Sequence, residues 1–397
     1  MTVNTPPDAR TNPVSPSPTR VPAALEATIA TPAPAPADQP GPVTFPLTWM
    51  MEHGSPSLQY RSAVEVARLP IPEHQLDWMP YASRSAIKLA VTQGIDGVWN
   101  DRMMSIPSSR GGEFEGVGTI PALQRLLEAG WSPDSPPIAL SRRILFRLLA
   151  EDDDPSFLYE LGTKTQTEDQ IRRGRCILRE AAAATLARAG FENDPRLRGA
   201  VRRIVERMEA FFDSPFGAKP WVRIGNTHVL AAEASPPSIF VLRILAHMPL
   251  LRYEHHSALE KLYDHLAQPL PRQDPVQLVG RHQMAQPHLV LGDKLPHRNA
   301  VEADVPYALM WLELMARLGF LRRNEGWLKM FDRFLEDCDR GGVWHPHKGA
   351  ETPKAKSPYA WATFPIEESM SAEGRWADVT FRVGLIARLS GREIKVV

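Results

Sequence analysis

The 397-residue chain has few cysteines, no excess of either charge and no long apolar run. Two cysteines, Cys176 and Cys338, are too few for a disulfide-stabilised scaffold and fit a reducing compartment. The 46 basic residues balance 46 acidic ones, whereas a nucleic-acid binder normally carries a basic surface. No apolar segment approaches the roughly 20 residues of a membrane span, and the N-terminus lacks the continuous apolar core of a signal peptide. We therefore expect a cytoplasmic protein with no membrane span and no nucleic-acid partner.

Residues 1–45 consist mainly of proline, alanine, threonine and serine, as in the stretch TPAPAPADQPGP. A segment of this composition favours polyproline conformations and has too few large apolar groups to offset the entropy lost on ordering. The sequence therefore predicts a disordered tail over residues 1–45 and one folded domain over residues 46–397. We interpret the tail as a flexible linker, and the alternative is that a protein partner docks on its Pro/Ala-rich segment.

The chain beyond the tail is dense in helical patterns, and residues 119–154 show the pattern most clearly. Leucines at helical spacing lead to Gly130, which can adopt the left-handed conformation that ends a helix. Trp131 is expected to pack at the corner. The run Ser132-Pro133-Asp134-Ser135-Pro136-Pro137 then offers caps and a first-turn proline to a second helix. These residues predict a helical hairpin.

Similar hairpins are predicted over residues 175–212, 238–267 and 305–335, and a single helix closes the chain before Gly391. The corners follow at spacings of roughly 60 to 70 residues, which indicates stacked helical units rather than an ordinary bundle. Long Gly/Pro-containing loops connect the units, and loops of that length often carry function. We therefore predict an all-α fold.

The corners resemble those of the squalene-cyclase and protein-prenyltransferase repeat superfamily, which includes the terpenoid cyclases. The residues that carry the resemblance are Gly130-Trp131, Gly190-Phe191, Gly319-Phe320, Gly97-Val98-Trp99, Gly341-Gly342-Val343-Trp344 and the segment from Trp376 to Phe381. The resemblance implies an α/α toroid, in which alternate helices form an inner ring around a central cavity. It places the starts of the inner helices near Thr119, Arg175, Ser238, Asp304 and Asp378.

Family members hold isoprenoid chains in aromatic-lined cavities, so the resemblance implies an apolar or prenyl-like ligand. If the protein is an enzyme, it implies a lyase, isomerase or transferase in which His228, Asp304 and Asp378 at the cavity mouth supply acid–base catalysis. Hydrogen bonding of His228 to the backbone, and N-terminal capping by both aspartates, explain the same residues without catalysis.

Asp337, Cys338, His345 and His347 form the candidate metal site, because prenyltransferases bind zinc through an Asp, a Cys and a His. The alternative is a buried Cys338 at a helix end beside two loop histidines. The acidic run at residues 151–154 resembles the Asp-rich acid motif of class II terpene cyclases. Its predicted place at a helix C-terminus favours a solvated loop instead.

Three functions are consistent with these patterns. The first is a terpenoid cyclase or prenyltransferase-like protein with an apolar ligand in the central cavity. The second is a noncatalytic helical-repeat module that binds a protein or peptide. The third is a carbohydrate-active α/α-toroid enzyme, since tryptophans also stack on sugar rings. Fold alone does not choose among them, but the contents of the central cavity do: a cavity filled by the protein's own side chains favours the binding module.

Overall fold

The computed structural model describes residues 41–108, 112–150, 167–280, 282–347 and 351–397. The predicted tail up to residue 40 and the acidic run 151–154 lie outside these ranges. Among the described helices, none is both long enough and apolar enough to cross a membrane.

Helices make up most of the described chain. They are α1 (Leu47–His53), α2 (Pro56–Arg61), α3 (Arg84–Val91), α4 (Thr119–Glu128), α5 (Pro136–Leu148), α6 (Glu168–Arg188), α7 (Pro195–Asp213), α8 (Pro215–Ala218), α9 (Ile239–Ala246), α10 (Pro249–Glu254), α11 (His256–Leu266), α12 (Arg298–Ala303), α13 (Val305–Arg317), α14 (Glu325–Glu336) and α15 (Ala372–Leu389). A π-helical turn, Ser62–Ala67, extends α2, and 3₁₀ turns span Glu73–Gln75, Met79–Ala82 and Leu321–Arg323.

The prediction of an all-α fold, and with it the all-helical α/α toroid, is wrong because the chain also forms two β-sheets. Strand β1 (Val43–Phe45) pairs in parallel with β6 (Ile394–Val396). A second, four-stranded sheet has the order β2-β3-β4-β5, with β2 (Trp221–Ile224), β3 (Thr227–Leu230), β4 (Val276–Val279) and β5 (His282–Ala285). The protein is therefore a mixed helix and sheet fold. Its first strand uses residues 43–45, which we assigned to the tail.

Five helices, which we call the central helices, contact one another in chain order: α4, α6, α9, α13 and α15. Helix α15 also contacts the segment of α2 and its π turn. An ion pair between Arg61 of that segment and Glu128 of α4 connects the two. Helices α13 and α15 are buried on nearly every face, as expected for elements enclosed by others.

The helix ends follow the predicted chemistry at several corners. Gly130, Gly190, Gly319 and Gly391 all have positive φ angles, between 70° and 89°, where a helix ends. Trp131 is buried at its corner, and its indole N–H donates to the carbonyl of Pro80 over 3.1 Å.

Two of the predicted helix starts are wrong. Helix α6 begins at Glu168 rather than near Arg175, because Thr167 and Gln170 form a capping box. Helix α15 begins at Ala372, where Ser371 accepts a hydrogen bond from the amide of Gly374. Asp378 therefore lies inside this helix instead of at its N-terminus.

Candidate binding groove between the central helices

A single segment, residues 356–367, lies between the central helices, and we call it the strap. Ala360 in its middle is fully buried, and Phe364 is 2% exposed. Both belong to the main hydrophobic core together with residues of α4, α9, α13 and α15. The strap is a run of turns, in which the amide of Phe364 donates to the carbonyl of Ala360. The helices thus surround a stretch of irregular backbone whose polar groups need partners.

Asp304 holds the beginning of the strap. One carboxylate oxygen, Oδ1, caps α13 by accepting a hydrogen bond from the amide of Tyr307 over 3.0 Å. The other, Oδ2, accepts from the amides of Lys356 at 3.1 Å and Ser357 at 2.7 Å. The capping role considered for Asp304 is therefore present, and the same carboxylate also binds strap backbone.

Asp378 holds the end of the strap. Its Oδ1 accepts from the amide of Ile366 at 2.7 Å, and its Oδ2 accepts from the amide of Glu367 at 3.1 Å. The Nη1 of Arg375 lies 3.3 Å from the same Oδ2. Burial raises the pKa of Asp378 to about 6, although Arg375 and the backbone amides act against the rise. Both aspartates predicted to be catalytic thus bind the two ends of one segment.

Three arginines of the central helices bind alternate carbonyls of the strap. Arg243 of α9 donates to the carbonyl of Tyr359. Arg125 of α4 donates to the carbonyl of Trp361 over 2.9 Å, and Arg382 of α15 donates to that of Thr363 over 2.7 Å. Hydrogen bonds from charged donors are roughly twice as strong as neutral ones. Arg375 of α15 likewise donates to the carbonyl of Glu367 over 3.2 Å. Two aspartates and four arginines thus bind the main chain of the strap.

Aromatic side chains of the strap pack where the groove is half-exposed. The ring of Trp361 meets Phe114 edge to face at 6.5 Å between centroids, and the guanidinium of Arg125 lies 5.4 Å from the Trp361 ring. Tyr359 packs edge to face on Phe240 at 6.0 Å. These contacts add apolar area and cation–π attraction to the backbone hydrogen bonds.

A buried ion cluster connects the strap to the rest of the interior. Glu128 accepts hydrogen bonds from Arg61 at 2.7 Å and Arg382 at 2.8 Å, and Arg188 lies 3.3 Å away. Burial alone would raise the pKa of Glu128, but Arg382, Arg188 and Arg61 outweigh it and hold the pKa well below its ordinary value. Glu128 is therefore an ionised structural anchor at neutral pH and has no proton to donate.

Glu313 of α13 completes this cluster. It accepts from Arg382 at 2.6 Å and from Arg317 at 2.9 Å. Burial again opposes ionisation, but the two arginines lower the pKa of Glu313. Arg382 consequently donates to the carboxylates of Glu128 and Glu313, which lie on different helices, and to one strap carbonyl. This one side chain therefore connects the groove with the ion cluster.

His228 lies apart from the two predicted catalytic aspartates. It occupies strand β3, where it is exposed and sits opposite Arg223 in the antiparallel register. In the described parts of the chain, no contact joins His228 to the strap or to Asp304 and Asp378. The structure thus brings two members of the predicted catalytic set to one segment and leaves the third on a hairpin.

The candidate metal ligands form separate pairs. His347 lies 3.1 Å from Asp337, and His345 lies 3.0 Å from Asp339. Cys338 follows the end of α14, and its thiol donates to the carbonyl of Phe334 in that helix over 3.3 Å. Burial, reinforced by Asp337 and Asp339, raises the pKa of the Cys338 thiol to about 12. The described residues contain no group of three or more His, Cys, Asp or Glu side chains that could hold a metal ion.

Sequence reasoning missed the arginines and glutamates of the groove, although a signal for them exists. Arg243, Glu313 and Arg382 are each a charged residue inside an otherwise apolar helical run, namely IFVLRILA, ALMWLELMA and VTFRVGLIA. An apolar helix face that carries one charge must supply it with a buried partner. Such interruptions therefore mark interior polar contacts.

The chain matches no family model, no curated protein and no solved structure. The resemblance to the squalene-cyclase and prenyltransferase superfamily stays a prediction.

Proposed function

We propose that this chain is a noncatalytic binding module for a protein or peptide partner, with a groove that recognises the main chain of a bound segment. The observation that carries the proposal is the strap. Two aspartates and four arginines, which lie in α4, α9 and α15 and at the N-cap of α13, bind its amides and carbonyls. Recognition through main-chain groups tolerates many sequences and is a common means of binding peptides.

The state of the acidic groups supports binding over catalysis. A general acid or base must reach a proton of the substrate. Glu128 and Glu313 are instead ionised and already paired with arginines. Asp304 and Asp378 accept hydrogen bonds from strap amides. The strap also contributes Ala360 and Phe364 to the main hydrophobic core among these helices, where the resemblance would place an apolar or prenyl-like ligand.

The test supplies the strap as a separate peptide. In the full chain, residues 356–367 are replaced by a Gly/Ser linker of twice that length, and a fluorescent peptide of residues 354–369 is titrated into it. Because this linker lacks the buried side chains of Ala360, Phe364 and Ile366 and is long enough to lie outside the groove, the peptide should bind saturably to this variant, whereas wild-type protein with its groove occupied should not bind it. Fluorescence anisotropy measures the binding, and circular dichroism checks that the variant is folded.

Arg125→Met in the linker variant is the matched control, because it removes one carbonyl contact and should weaken peptide binding about tenfold. A folded linker variant that binds no peptide would overturn the proposal. If the linker variant does not fold, the strap variant Ala360→Glu/Phe364→Glu keeps every groove side chain and should release the strap, because both of these residues are buried in the core. Absence of peptide binding by that folded protein would have the same meaning.

A further inference from the structure

One side of α3 exposes apolar side chains to solvent. Ile87 and Val91 are four residues apart, so they lie on the same side of the helix, and Val91 is 75% exposed. Ile95 follows in the next turn and is fully exposed, and Leu140 of α5 is also exposed. We call Ile87, Val91, Ile95 and Leu140 the α3 face. Single exposed apolar residues are ordinary, but a group of them marks an interaction site.

The α3 face belongs to a well-anchored part of the fold. The side-chain amide of Gln93 donates to the carbonyl of Pro137 over 2.8 Å. Gly97 lies directly against Leu140, because a Cβ at Gly97 would approach that of Leu140 to 3.2 Å. The turn that contains Ile95 therefore packs on the start of α5, and the face is a fixed surface that a partner can bind.

The size of the α3 face favours a short segment over a second copy of the chain. One side of a stable interface between two proteins contributes about 20–30 residues, whereas this face has four apolar side chains. An amphipathic helix, by contrast, binds through a few apolar anchors spaced three or four residues apart. The face therefore fits a segment with an apolar stripe of that spacing.

The charges beside the α3 face are basic. Arg84 and Lys88 are exposed on the same helix. No ion pair joins Arg84 to another residue of the described ranges, and the partner of Lys88 is the exposed Glu113, 3.7 Å away. An acidic residue next to the apolar stripe of the bound segment would complement them.

The chain contains one such segment before its first described residue. Residues 21–30 read VPAALEATIA, in which Val21, Leu25 and Ile29 are spaced four apart, and we call these three the tail stripe. They are three of the six large apolar residues in residues 1–40. Glu26 is the only charged residue of the segment, and Pro22 suits a first helical turn.

The spacer between this segment and the fold is long enough. Residues 31–40 read TPAPAPADQP, and a proline-rich spacer of ten residues extends roughly 30 Å at about 3.1 Å per residue. From β1 to α3, contacts run in succession through α1, α2 and the 3₁₀ turn Met79–Ala82. Neighbouring helices lie about 8–10 Å apart, so three such steps amount to roughly 30 Å.

We propose that residues 21–30 bind the α3 face of their own chain as a short helix, with the tail stripe against the apolar side chains and Glu26 beside Lys88. A helix of ten residues is marginal in water by itself, and burial of its stripe on a fixed apolar face stabilises it. A tethered segment also has an effective concentration in the millimolar range, which favours the tail of the same chain over that of another copy.

The experiment measures disulfide cross-linking in the full chain. Thr28→Cys is combined with Thr92→Cys, which is exposed at the end of α3, so both apolar sets stay intact. The control combines Thr28→Cys with Glu393→Cys, because Glu393 is exposed and its carbonyl accepts the amide of Val43, next to the point where the tail joins the fold. A free tail would reach position 393 at least as often as position 92.

Under oxidised glutathione, we expect the 28–92 link to form at least tenfold faster than the 28–393 link and within single chains, as measured by non-reducing electrophoresis. Peptide mass spectrometry identifies the linked pair and separates it from any link to the native cysteines. Val21→Asp/Ile29→Asp breaks the tail stripe and should slow the 28–92 link at least tenfold. Ala23→Asp/Ala27→Asp adds the same charge on the opposite side and should leave its rate unchanged.

Three results would overturn this assignment of the α3 face. They are equal rates for the two links, a 28–92 link that forms only between two chains, and a rate that Val21→Asp/Ile29→Asp does not change. None of these outcomes depends on the strap, so the tail contact and the proposed peptide groove can fail separately.

Discussion

At the scale of single residues, the interior is determined by charges placed in apolar helices. Burying an unpaired charge costs several kcal/mol, so each must have a partner. Arg382 satisfies this condition by contacting Glu128, Glu313 and the carbonyl of Thr363. The positions of such charges can be predicted from sequence, because they interrupt apolar runs. Their partners cannot, because Arg382 and Glu128 are 254 residues apart.

Glu128→Gln tests the ion cluster. The substitution keeps the shape of the side chain but leaves Arg61, Arg188 and Arg382 without their shared carboxylate. We expect the free energy of unfolding to fall by about 3–5 kcal/mol, as measured by urea denaturation. Glu325→Gln is the control, because it breaks an exposed pair with Lys329 and should leave stability unchanged. Equal effects of the two substitutions would show that the buried cluster contributes no more to the free energy of unfolding than an exposed ion pair does.

Asp378→Asn tests the carboxylate at the end of the strap through pH dependence. Burial raises the pKa of Asp378 from 3.8 to about 6, despite Arg375, so the folded state holds this proton more tightly than the unfolded chain does. Ionisation therefore costs stability, and the cost develops as pH rises from about 4 to about 6. Relative to the variant, wild-type protein should lose on the order of 3 kcal/mol over this window.

Urea denaturation of both proteins at pH 4, 5, 6 and 7 gives this difference, and groups common to both cancel. Glu367 faces Asp378 and is also common to the two proteins. A stability difference that stays constant, or that changes in the opposite direction, would contradict the assignment.

At the scale of elements, corners could be predicted and short strands could not. Gly190 and Gly319 end helices as expected, because a left-handed residue at a helix end has a strong glycine preference. Strands β2 and β3 have four residues each and are joined by Gly225-Asn226. An alternation of apolar and polar residues over only four positions cannot be told apart from the helical patterns on either side. Gly-Asn between two β-rich runs was the available hairpin signal.

Asp304→Ala tests how the strap is held at its beginning. The substitution removes the cap of α13 and both hydrogen bonds to strap amides. We expect a loss of about 2–4 kcal/mol, from one cap and two charge-assisted bonds, with faster hydrogen exchange at the amides of Lys356 and Ser357.

Asp194→Ala provides the matched comparison, because Asp194 caps α7 and does not touch the strap. It should cost about 1 kcal/mol and leave exchange at residues 356–357 unchanged. If the two alanine variants gave the same exchange in the strap, the carboxylate of Asp304 would not be what holds it.

At the scale of the whole molecule, helices contact in chain order and enclose a segment that arrives from near the C-terminal end. The succession of helical units was predictable, because corners recur along the sequence. The contents of the interior were not, because the strap sequence KSPYAWATFPIE has neither helical nor strand periodicity and is typical of a surface loop. Charged side chains of α4, α9 and α15 and the N-cap residue of α13 bind the backbone groups of this segment, which lets it pack in the interior.

Binding of chemically modified strap peptides to the linker variant tests main-chain recognition most directly. One peptide carries N-methyl groups at Ile366 and Glu367, which removes the two N–H donors to Asp378, and the other carries Tyr359→Phe and keeps every backbone group. If the groove recognises the main chain, N-methylation should weaken peptide binding by at least tenfold, and Tyr359→Phe should weaken it by less than twofold. Equal affinities of the N-methylated and unmodified peptides would contradict the account.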